Sequence, residues 1–273
     1  MNRDVATGRG LVVVDLGGTW VRVRATAGGP RAYRGPTPGP AGLPALLERL
    51  WRRWRLSRRT VAALGIASRG VWTRGERRAL ARHLRRFAVR VVVISDVEAA
   101  HLAALGGAVG VLLLAGTGSI ALGRDGRGHL TRAGGLGPLV GDDGSAFAIG
   151  RAWLRAGTVA PARARRLATA PDAVARIAAL APAVLRRARS GERAAVRVVR
   201  EAQRALAALV AGAAPRGARG PIAVSWAGGL LTDARFRQGV WREARRRGLR
   251  VKPTPPASVA ASPAAWRSLL GSD

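Results

Sequence analysis

The chain contains no cysteine, and this absence excludes several kinds of site at once. A protein without thiols has no disulfides, no thiolate zinc site, no cysteine-ligated iron–sulfur cluster and no cysteine nucleophile. Histidine is scarce too, with three residues in the whole chain, which disfavours a metal site built from soft ligands. We therefore expect any bound metal to be a hard cation with oxygen ligands, some of them supplied by a substrate.

Acidic residues and lysine are also scarce. The chain has 15 aspartate and glutamate residues against 47 lysine and arginine residues, and its formal net charge is +32. Lys252 is the only lysine and Asn2 the only asparagine, so nearly all of the positive charge is arginine, spread over nearly every helical segment. This distribution favours a composition bias, but a field of this sign would also attract nucleic acid and nucleotides.

Long apolar runs are absent as well. No apolar stretch approaches the ~18 residues that a membrane span requires, and the first ten residues lack the apolar segment of a secretion signal. We expect a cytoplasmic protein with no membrane partner. At 273 residues, of which 48% are hydrophobic, the chain is long enough to bury a core and suits one large or two ordinary domains.

Two glycine-rich segments follow an aliphatic run in the middle of the chain. Residues 111–115 have the length and composition of a buried strand, and residues 116–119, GTGS, end it with a turn that can point amide hydrogens at a phosphate. A second glycine-rich segment, residues 134–145, contains Asp142 and Asp143 and leads into a helix pattern at residue 147. Such a segment can wrap a small polar ligand, or its carboxylates can stabilise the loop itself.

The N-terminal part of the chain has a similar strand and turn. Residues 11–15 are an aliphatic strand that ends in Asp15, the GGT turn follows at residues 17–19, and residues 21–24 alternate as a half-exposed strand does. Such a hairpin can lay its amides and the Thr19 hydroxyl against a phosphate, while Asp15 faces the water shell of a metal ion. A hairpin that needs glycine only for its turn gives the same pattern.

Two further strands end at residues suited to ligand binding. Residues 91–95 form an aliphatic strand that ends just before Asp96, and an acid at the carboxyl end of a parallel strand lies where open α/β sheets bind ligands. Residues 222–226 form another strand, and Gly228 with Gly229 follows it. A glycine pair between a strand and a helix lets a planar ring or a phosphate approach the backbone closely.

The remaining segments are expected to build the scaffold. Residues 29–44 are rich in proline and glycine and are predicted to be a loop. In the helix predicted for residues 43–56, Trp51 and Trp54 interleave with arginines and either pack on a sheet or stack on bases. Further strands are predicted at residues 61–66 and 250–253, and further helices at residues 76–87, 97–105, 146–156, 171–189, 192–211, from 230 onward, and 264–270.

These signals occur twice in nearly the same order, as if one half of the chain repeated the other. The order resembles that of the sugar kinase, Hsc70 and actin superfamily, and the segments AGTGSIALGRDGRG, AGGLGPLVGDDGSAFAIG and SWAGGLL resemble the N-acetylglucosamine kinase family and its BadF/BadG/BcrA/BcrD-type ATPase relatives. The resemblance implies an α/β protein of two actin-like, ribonuclease H-like domains, each a mixed five-stranded sheet flanked by helices, with a cleft between them. The domains would be residues 1–107, with a C-terminal helix at about residues 256–273 packing back on them, and residues 108–255.

The resemblance also implies an activity. The expected protein is an ATP-dependent kinase that acts on N-acetylglucosamine or a related hexosamine at the 6-hydroxyl. Its ligands would be ATP, Mg²⁺ and the sugar, and a homodimer is compatible with the resemblance. Asp96 would be the base, and Asp15 would hold magnesium through water. The residues implied in ATP binding are Gly17, Gly18, Thr19, Gly116, Thr117, Gly118, Ser119, Gly228 and Gly229, and those implied in sugar binding are Asp96, Gly135, Leu136 and Asp142.

Departures from the family pattern leave two alternatives open. The cysteine-bound cluster of the ATPase activators and the cysteine-rich zinc motif of other bacterial sugar kinases are both excluded by composition. Family members usually have tryptophan where this chain has Leu136 and glutamate where it has Asp143, and residues 29–44 contain no asparagine to offer to a sugar. An ATPase or nucleotide-binding module without a sugar is one alternative, and a basic nucleic-acid-binding protein on the same fold is the other.

Overall fold

The computed structural model describes residues 10–217 and 220–256 together with Trp266. These residues fall into two compact units, the first made of residues 10–107 with Trp266 and the second of residues 108–256. Each unit is built on one five-stranded sheet.

Residues 10–107 of the first unit form five strands and three helices. They are β1 (Gly10–Leu16), β2 (Trp20–Ala25), β3 (Arg31–Pro36), α1 (Gly39–Trp54), β4 (Val61–Ser68), α2 (Arg74–Leu84), β5 (Arg90–Ser95) and α3 (Asp96–Leu105). The sheet order is β3-β2-β1-β4-β5, with β1, β4 and β5 parallel and the hairpin partners β2 and β3 antiparallel. The aliphatic β1 and β4 are covered on both faces, whereas β2 alternates buried and exposed residues.

The loop predicted for residues 29–44 is wrong. Arg31–Pro36 form β3, and α1 begins at Gly39, inside the proline-rich stretch. Both results have a local cause. The strand β3 lies at the sheet edge, where a missing amide such as that of Pro36 costs no ladder hydrogen bond. Proline near the start of α1 occupies the first turn, where the amide has no partner within the helix.

The tryptophans of α1 are part of the core of the first unit. Trp51 and Trp54 are both buried, and the Trp51 Nε1–H donates a hydrogen bond of 3.1 Å to the carbonyl oxygen of Phe87. The packing interpretation is therefore confirmed, and these two rings are not available for stacking on bases.

The second unit repeats the same sheet. Its elements are β6 (Gly110–Ala115), β7 (Ser119–Arg124), β8 (Leu130–Gly134), α4 (Ala146–Arg155), α5 (Pro161–Ala168), α6 (Ala173–Ala178), α7 (Ala181–Arg189), α8 (Arg193–Ala213), β9 (Ile222–Ala227), a 3₁₀ turn (Gly229–Thr232), α9 (Ala234–Arg246) and β10 (Val251–Pro253). The order β8-β7-β6-β9-β10 has two antiparallel pairs and then two parallel pairs, as in the first unit. The repeat read in the sequence and the fold class of two mixed five-stranded sheets flanked by helices are thus confirmed.

The helices of the second unit differ in detail from the prediction. The single helix predicted at residues 171–189 is divided into α6 and α7, because Pro182 in the first turn of α7 has no amide with which to continue a helix. The short α5 was not predicted; it buries no residue and so shows no apolar face. A 3₁₀ turn at Gly229–Thr232 precedes α9, where one helix from residue 230 was expected.

Trp266 returns from the C-terminal part of the chain to the first unit. Its ring is fully buried against the sheet, and a Cβ at Gly65 would lie only 2.5 Å from Trp266 Cε3. Apart from this residue, the helix predicted for residues 264–270 lies outside the described residues. Within the described ranges, no helix is both long and apolar enough to cross a membrane.

Candidate functional site

The carboxyl ends of three parallel strands meet at one edge of the first sheet. The register places Leu16 of β1 beside Ser68 of β4, and Ser68 beside Ser95 of β5. The residues next to these strand ends, including Asp15 and Asp96, therefore lie at the same edge. That edge is where ligands bind in open α/β sheets.

The turn at residues 17–19 presents backbone donors at this edge. The Gly17 amide donates to the Trp20 carbonyl oxygen at 3.0 Å and closes the turn. Gly18 and Thr19 are exposed, and in the described part of the chain their amides donate no hydrogen bond. Two exposed amides and the Thr19 hydroxyl in one turn are an arrangement that can bind phosphate oxygens.

Asp15 is half-buried at the end of β1. The Arg22 guanidinium on the neighbouring strand donates a hydrogen bond of 3.0 Å to Asp15 Oδ2. Nowhere in the described chain do three or more histidine, aspartate or glutamate side chains group closely enough to hold a metal ion by themselves. The carboxylate of Asp15 nevertheless suits Mg²⁺, which keeps several waters and takes other ligands from phosphate oxygens.

Asp96 is the first residue of α3, directly after β5. Its Oδ1 accepts a hydrogen bond of 2.9 Å from the Val97 amide. Burial raises the pKa of the Asp96 carboxyl, and the negative charge of Asp15 adds to this effect, whereas the Val97 amide and the positive charge of Arg69 act against it. A half-buried carboxyl with a raised pKa at a ligand-binding edge is suited to accept a proton.

The start of α3 is fixed by a buried charged network. The Ser95 hydroxyl accepts from the Glu98 amide at 3.1 Å, and Glu98 Oε2 accepts in return from the Ser95 amide at 3.2 Å, which makes a capping box. Arg77 of α2 donates to Glu98 Oε1 at 2.7 Å. This network holds the backbone on both sides of Asp96. The sequence shows the signal of the capping box, which is serine followed three residues later by glutamate, but it does not indicate the arginine partner of that glutamate.

In the second unit the turn at residues 116–119 also has unpaired donors. The Gly116 amide donates to the Gly118 carbonyl oxygen at 2.9 Å, whereas the amides of Thr117 and Gly118 donate to no described group. The carbonyl oxygens of Gly116 and Thr117 accept hydrogen bonds from the first amides of α4, Ala146 at 2.8 Å and Phe147 at 3.3 Å. The helix thus holds the turn in place, while the Thr117 and Gly118 amides of the turn stay available to a ligand.

The glycine pair after β9 lies beside this turn, because β6 and β9 are parallel neighbours. Gly228 has a φ of +101°, and a Cβ there would lie 2.3 Å from the Ala115 carbonyl oxygen, so only glycine fits. A Cβ at Gly116 would lie 3.9 Å from the Gly229 amide nitrogen. The two predicted nucleotide-binding turns of this unit are therefore adjacent.

A cavity of about 840 Å³ opens at these turns. Its volume is within the range of small-molecule sites. The wall opposite the glycines comes from α6 and α7, which the sequence alone did not indicate. The lining residues are Gly116, Thr117, Ala146, Ala175, Ala178, Ala179, Ala181, Pro182, Leu185, Arg186, Arg189, Gly229, Leu230, Thr232 and Asp233.

The predicted sugar-binding residues of the second unit lie around Ser119. The Gly135 amide donates to the Ser119 carbonyl oxygen at 3.0 Å, and Asp142 Oδ1 accepts from the Ser119 amide at 3.2 Å. Asp142 has a φ of +58°, a left-handed conformation that aspartate tolerates better than most residues. Leu136 is 61% exposed. Asp142 thus stabilises the loop through the backbone, the alternative that its sequence left open, and keeps further acceptor positions on its carboxylate.

Comparison with known proteins gives the family. A model described as the BadF/BadG/BcrA/BcrD ATPase family matches residues 12–262. The N-acetylmuramic acid/N-acetylglucosamine kinase of Clostridium acetobutylicum is 38% identical over 61 residues, which are 22% of this chain and 20% of that protein. The matched region thus spans about a fifth of the length of this curated relative.

Solved structures share the fold. A proposed N-acetylglucosamine kinase from Chromobacterium violaceum aligns with a TM-score of 0.68 at 24% identity, covering 96% of this chain and 99% of that one. A ROK hexokinase from Thermus thermophilus aligns with a TM-score of 0.58 at 24% identity, covering 94% and 96%. Since the family model covers nearly the whole chain, the protein belongs to the BadF/BadG/BcrA/BcrD ATPase family.

Proposed function

We propose that this chain is an ATP-dependent kinase that phosphorylates N-acetylglucosamine or a related hexosamine at the 6-hydroxyl. Membership in an ATPase family and the partial match to an N-acetylmuramic acid/N-acetylglucosamine kinase support a sugar kinase. The observation that carries the proposal is the environment of Asp96, a half-buried carboxyl with a raised pKa at the same sheet edge as the turn at residues 17–19.

In the proposed reaction, the sugar hydroxyl oxygen attacks the terminal phosphorus of ATP. The new oxygen–phosphorus bond forms as the bond to the leaving ADP oxygen breaks, and the hydroxyl proton passes to Asp96. An aspartate is a weak base for an alcohol, but it can accept the proton late, once the bond to phosphorus has begun to form. Its raised pKa strengthens it for this role.

The backbone carries most of the proposed phosphate binding. Phosphoryl transfer needs little covalent chemistry from the protein, so positioned amides and in-line alignment account for much of the rate. The amides of Gly18, Thr19, Thr117 and Gly118 would be the donors for this role. Gly228 and Gly229 would lie under the adenosine. A magnesium ion, when bound, neutralises phosphate charge, and Asp15 would hold it through water.

The sugar would be bound by Gly135, Leu136 and Asp142 in addition to Asp96. A carboxylate accepts two hydroxyl hydrogens at once, which a neutral side chain does less well. Asp142 uses one acceptor position for Ser119 and has others left for a ligand.

The first test is ATP consumption across a panel of sugars that includes N-acetylglucosamine, glucosamine and N-acetylmuramic acid. We expect one hexosamine to stimulate ADP release, with NMR of the product showing phosphate on the 6-hydroxyl. The variant Asp96→Asn should lose roughly 10²- to 10⁴-fold in kcat while it still binds ATP. The control is Asp172→Asn, which removes an exposed carboxylate paired with Arg176. Full kinase activity of Asp96→Asn would show that Asp96 is not the base.

A second candidate function is an ATPase or nucleotide-binding module without a sugar substrate. The exposed Leu136 in place of an aromatic ring and the engagement of Asp142 by Ser119 favour it. It predicts ATP turnover that no sugar of the panel changes, which separates it from the kinase.

A homodimer is also proposed, and light scattering of the purified protein measures the number of chains.

A further inference from the structure

Arg69 brings a positive charge to the edge of the first sheet that holds Asp15 and Asp96. It is the first residue after β4, and its amide donates to the Leu16 carbonyl oxygen at 3.2 Å, which ties it to the end of β1. Gly70 follows with a φ of +78°, a left-handed conformation in which the chain turns away. The position of Arg69 therefore follows from the same register that brings the strand ends together.

The side chain of Arg69 lies beside Gly18 in the turn at residues 17–19. Its Nη1 lies 2.7 Å, and its Cζ 3.8 Å, from the point where a Cβ at Gly18 would stand. The missing side chain at Gly18 thus leaves room for a guanidinium beside the turn that carries the exposed amides. A guanidinium presents a planar set of N–H donors that matches the oxygen atoms of a phosphate.

Among the residues that the structure describes, no carboxylate pairs with this guanidinium. Asp15 pairs with Arg22 and Glu98 pairs with Arg77, whereas Arg69 forms no ion pair with any residue that the structure describes. Arg69 is exposed and yet close enough to Asp96 for its charge to lower the pKa of that carboxyl. An unpaired cation between exposed amides and a candidate base is available to an anionic ligand.

We propose that the Arg69 guanidinium binds the terminal phosphate of ATP and offsets the negative charge that its oxygen atoms carry during transfer. This assignment rests on the proposed kinase function, because the base Asp96 receives a proton from the hydroxyl that attacks the same phosphorus. Arg69 takes no proton and forms no bond to phosphorus. It stabilises the phosphoryl group while the bond to the sugar oxygen forms and the bond to ADP breaks.

The decisive experiment compares nucleotides that differ in the terminal phosphate. With magnesium present, isothermal titration measures the Kd of ADP and of the non-hydrolysable analogue AMPPNP for the wild type, Arg69→Met, Arg69→Lys and Arg78→Met. Arg78 is an exposed arginine of α2 and serves as the matched loss of charge. We expect Arg69→Met to weaken AMPPNP binding about 10-fold or more and ADP binding less than about 2-fold. The AMPPNP affinity of Arg69→Lys should lie between those of the wild type and Arg69→Met, and Arg78→Met should bind both nucleotides as the wild type does.

The kinetic arm uses the sugar identified by the panel. Arg69→Met should lower kcat roughly 100-fold or more, leave the KM for the sugar within about 3-fold, and unfold at the wild-type temperature. Equal loss of ADP and AMPPNP affinity, or no loss of either, would overturn the assignment. If no sugar is phosphorylated, the kinase proposal fails, but the nucleotide comparison still decides whether Arg69 recognises a terminal phosphate.

Discussion

Arg77 of α2 and Glu98 of α3 form a hydrogen-bonded ion pair of 2.7 Å. The Glu98 side chain is 9% exposed and that of Arg77 27%, so water shields the pair little. The same carboxylate closes the capping box at Ser95, the residue before Asp96. The pair therefore joins two helices and fixes the backbone that carries the proposed base.

Loss of this pair should destabilise the protein. Glu98→Ala leaves the half-buried Arg77 without its partner and removes half of the capping box, so we expect the free energy of unfolding to fall by about 2–4 kcal/mol. Glu48→Ala is the control, because its pair with Arg86 is at the surface and should cost under about 1 kcal/mol. Denaturant unfolding measures both, and equal losses would contradict the role of burial.

The pH dependence of the proposed kinase activity should reveal the ionisation of Asp96. A proposed base such as Asp96 must be ionised to accept a proton, and burial raises the pKa of its carboxyl. The acid limb of kcat/KM should therefore lie above the pH at which an ordinary aspartate titrates. Asp15→Asn removes a negative charge that raises this pKa and should move the limb to lower pH. Arg69→Met removes a positive charge that lowers it and should move the limb to higher pH. The same direction for both variants would contradict this assignment.

The raised pKa also has a consequence for stability. The folded state binds the Asp96 proton more tightly than the unfolded state, so the contribution of this carboxyl to stability is largest below its unfolded pKa and falls as the pH rises through its folded pKa. At neutral pH, Asp96→Asn should therefore unfold at a higher temperature than the wild type. The difference should shrink as the pH is lowered. A lower unfolding temperature at neutral pH would show that the carboxylate stabilises the fold.

The two glycines after β9 should respond differently to the same substitution. Gly228→Ala places a methyl group 2.3 Å from the Ala115 carbonyl oxygen at a φ of +101°, and we expect it to cost roughly 2–4 kcal/mol. Gly229→Ala meets no atom within 4 Å and should change stability by less than about 0.5 kcal/mol. Because Gly229 lines the cavity, its methyl group should still weaken ATP binding. Unchanged affinity in titration would place the nucleotide elsewhere.

The strand ends that carry the candidate site could be predicted from the sequence, because each of these strands is short and aliphatic and ends at a residue of distinct chemistry. Asp15, Asp96, Gly116 and Gly228 all follow this pattern, and β1, β5, β6 and β9 lie where it indicates. The segment at residues 31–36 could not be predicted in this way. Its proline and glycine are typical of loops, and only the neighbouring β2 makes an edge strand of it.

Other parts of the site depend on tertiary contacts that have no local signal. Arg69 is one of many arginines in this chain, and its proposed role follows from strand register rather than from residue type. Likewise, the alanines of α6 and α7 form a cavity wall only once those helices pack beside the glycine turns. Arg77 and Glu98 are 21 positions apart, and the sequence does not indicate which arginine pairs with this glutamate.

Trp266 delays the completion of the first unit during synthesis. It completes the apolar cluster of Val13, Ala63 and Ile94, yet it leaves the ribosome only after all of residues 108–256. A nascent chain thus exposes part of its first core while the contiguous second unit is already free to fold. Truncation before residue 266 should leave that core, in the unit that carries Asp96, open to chaperones and proteases.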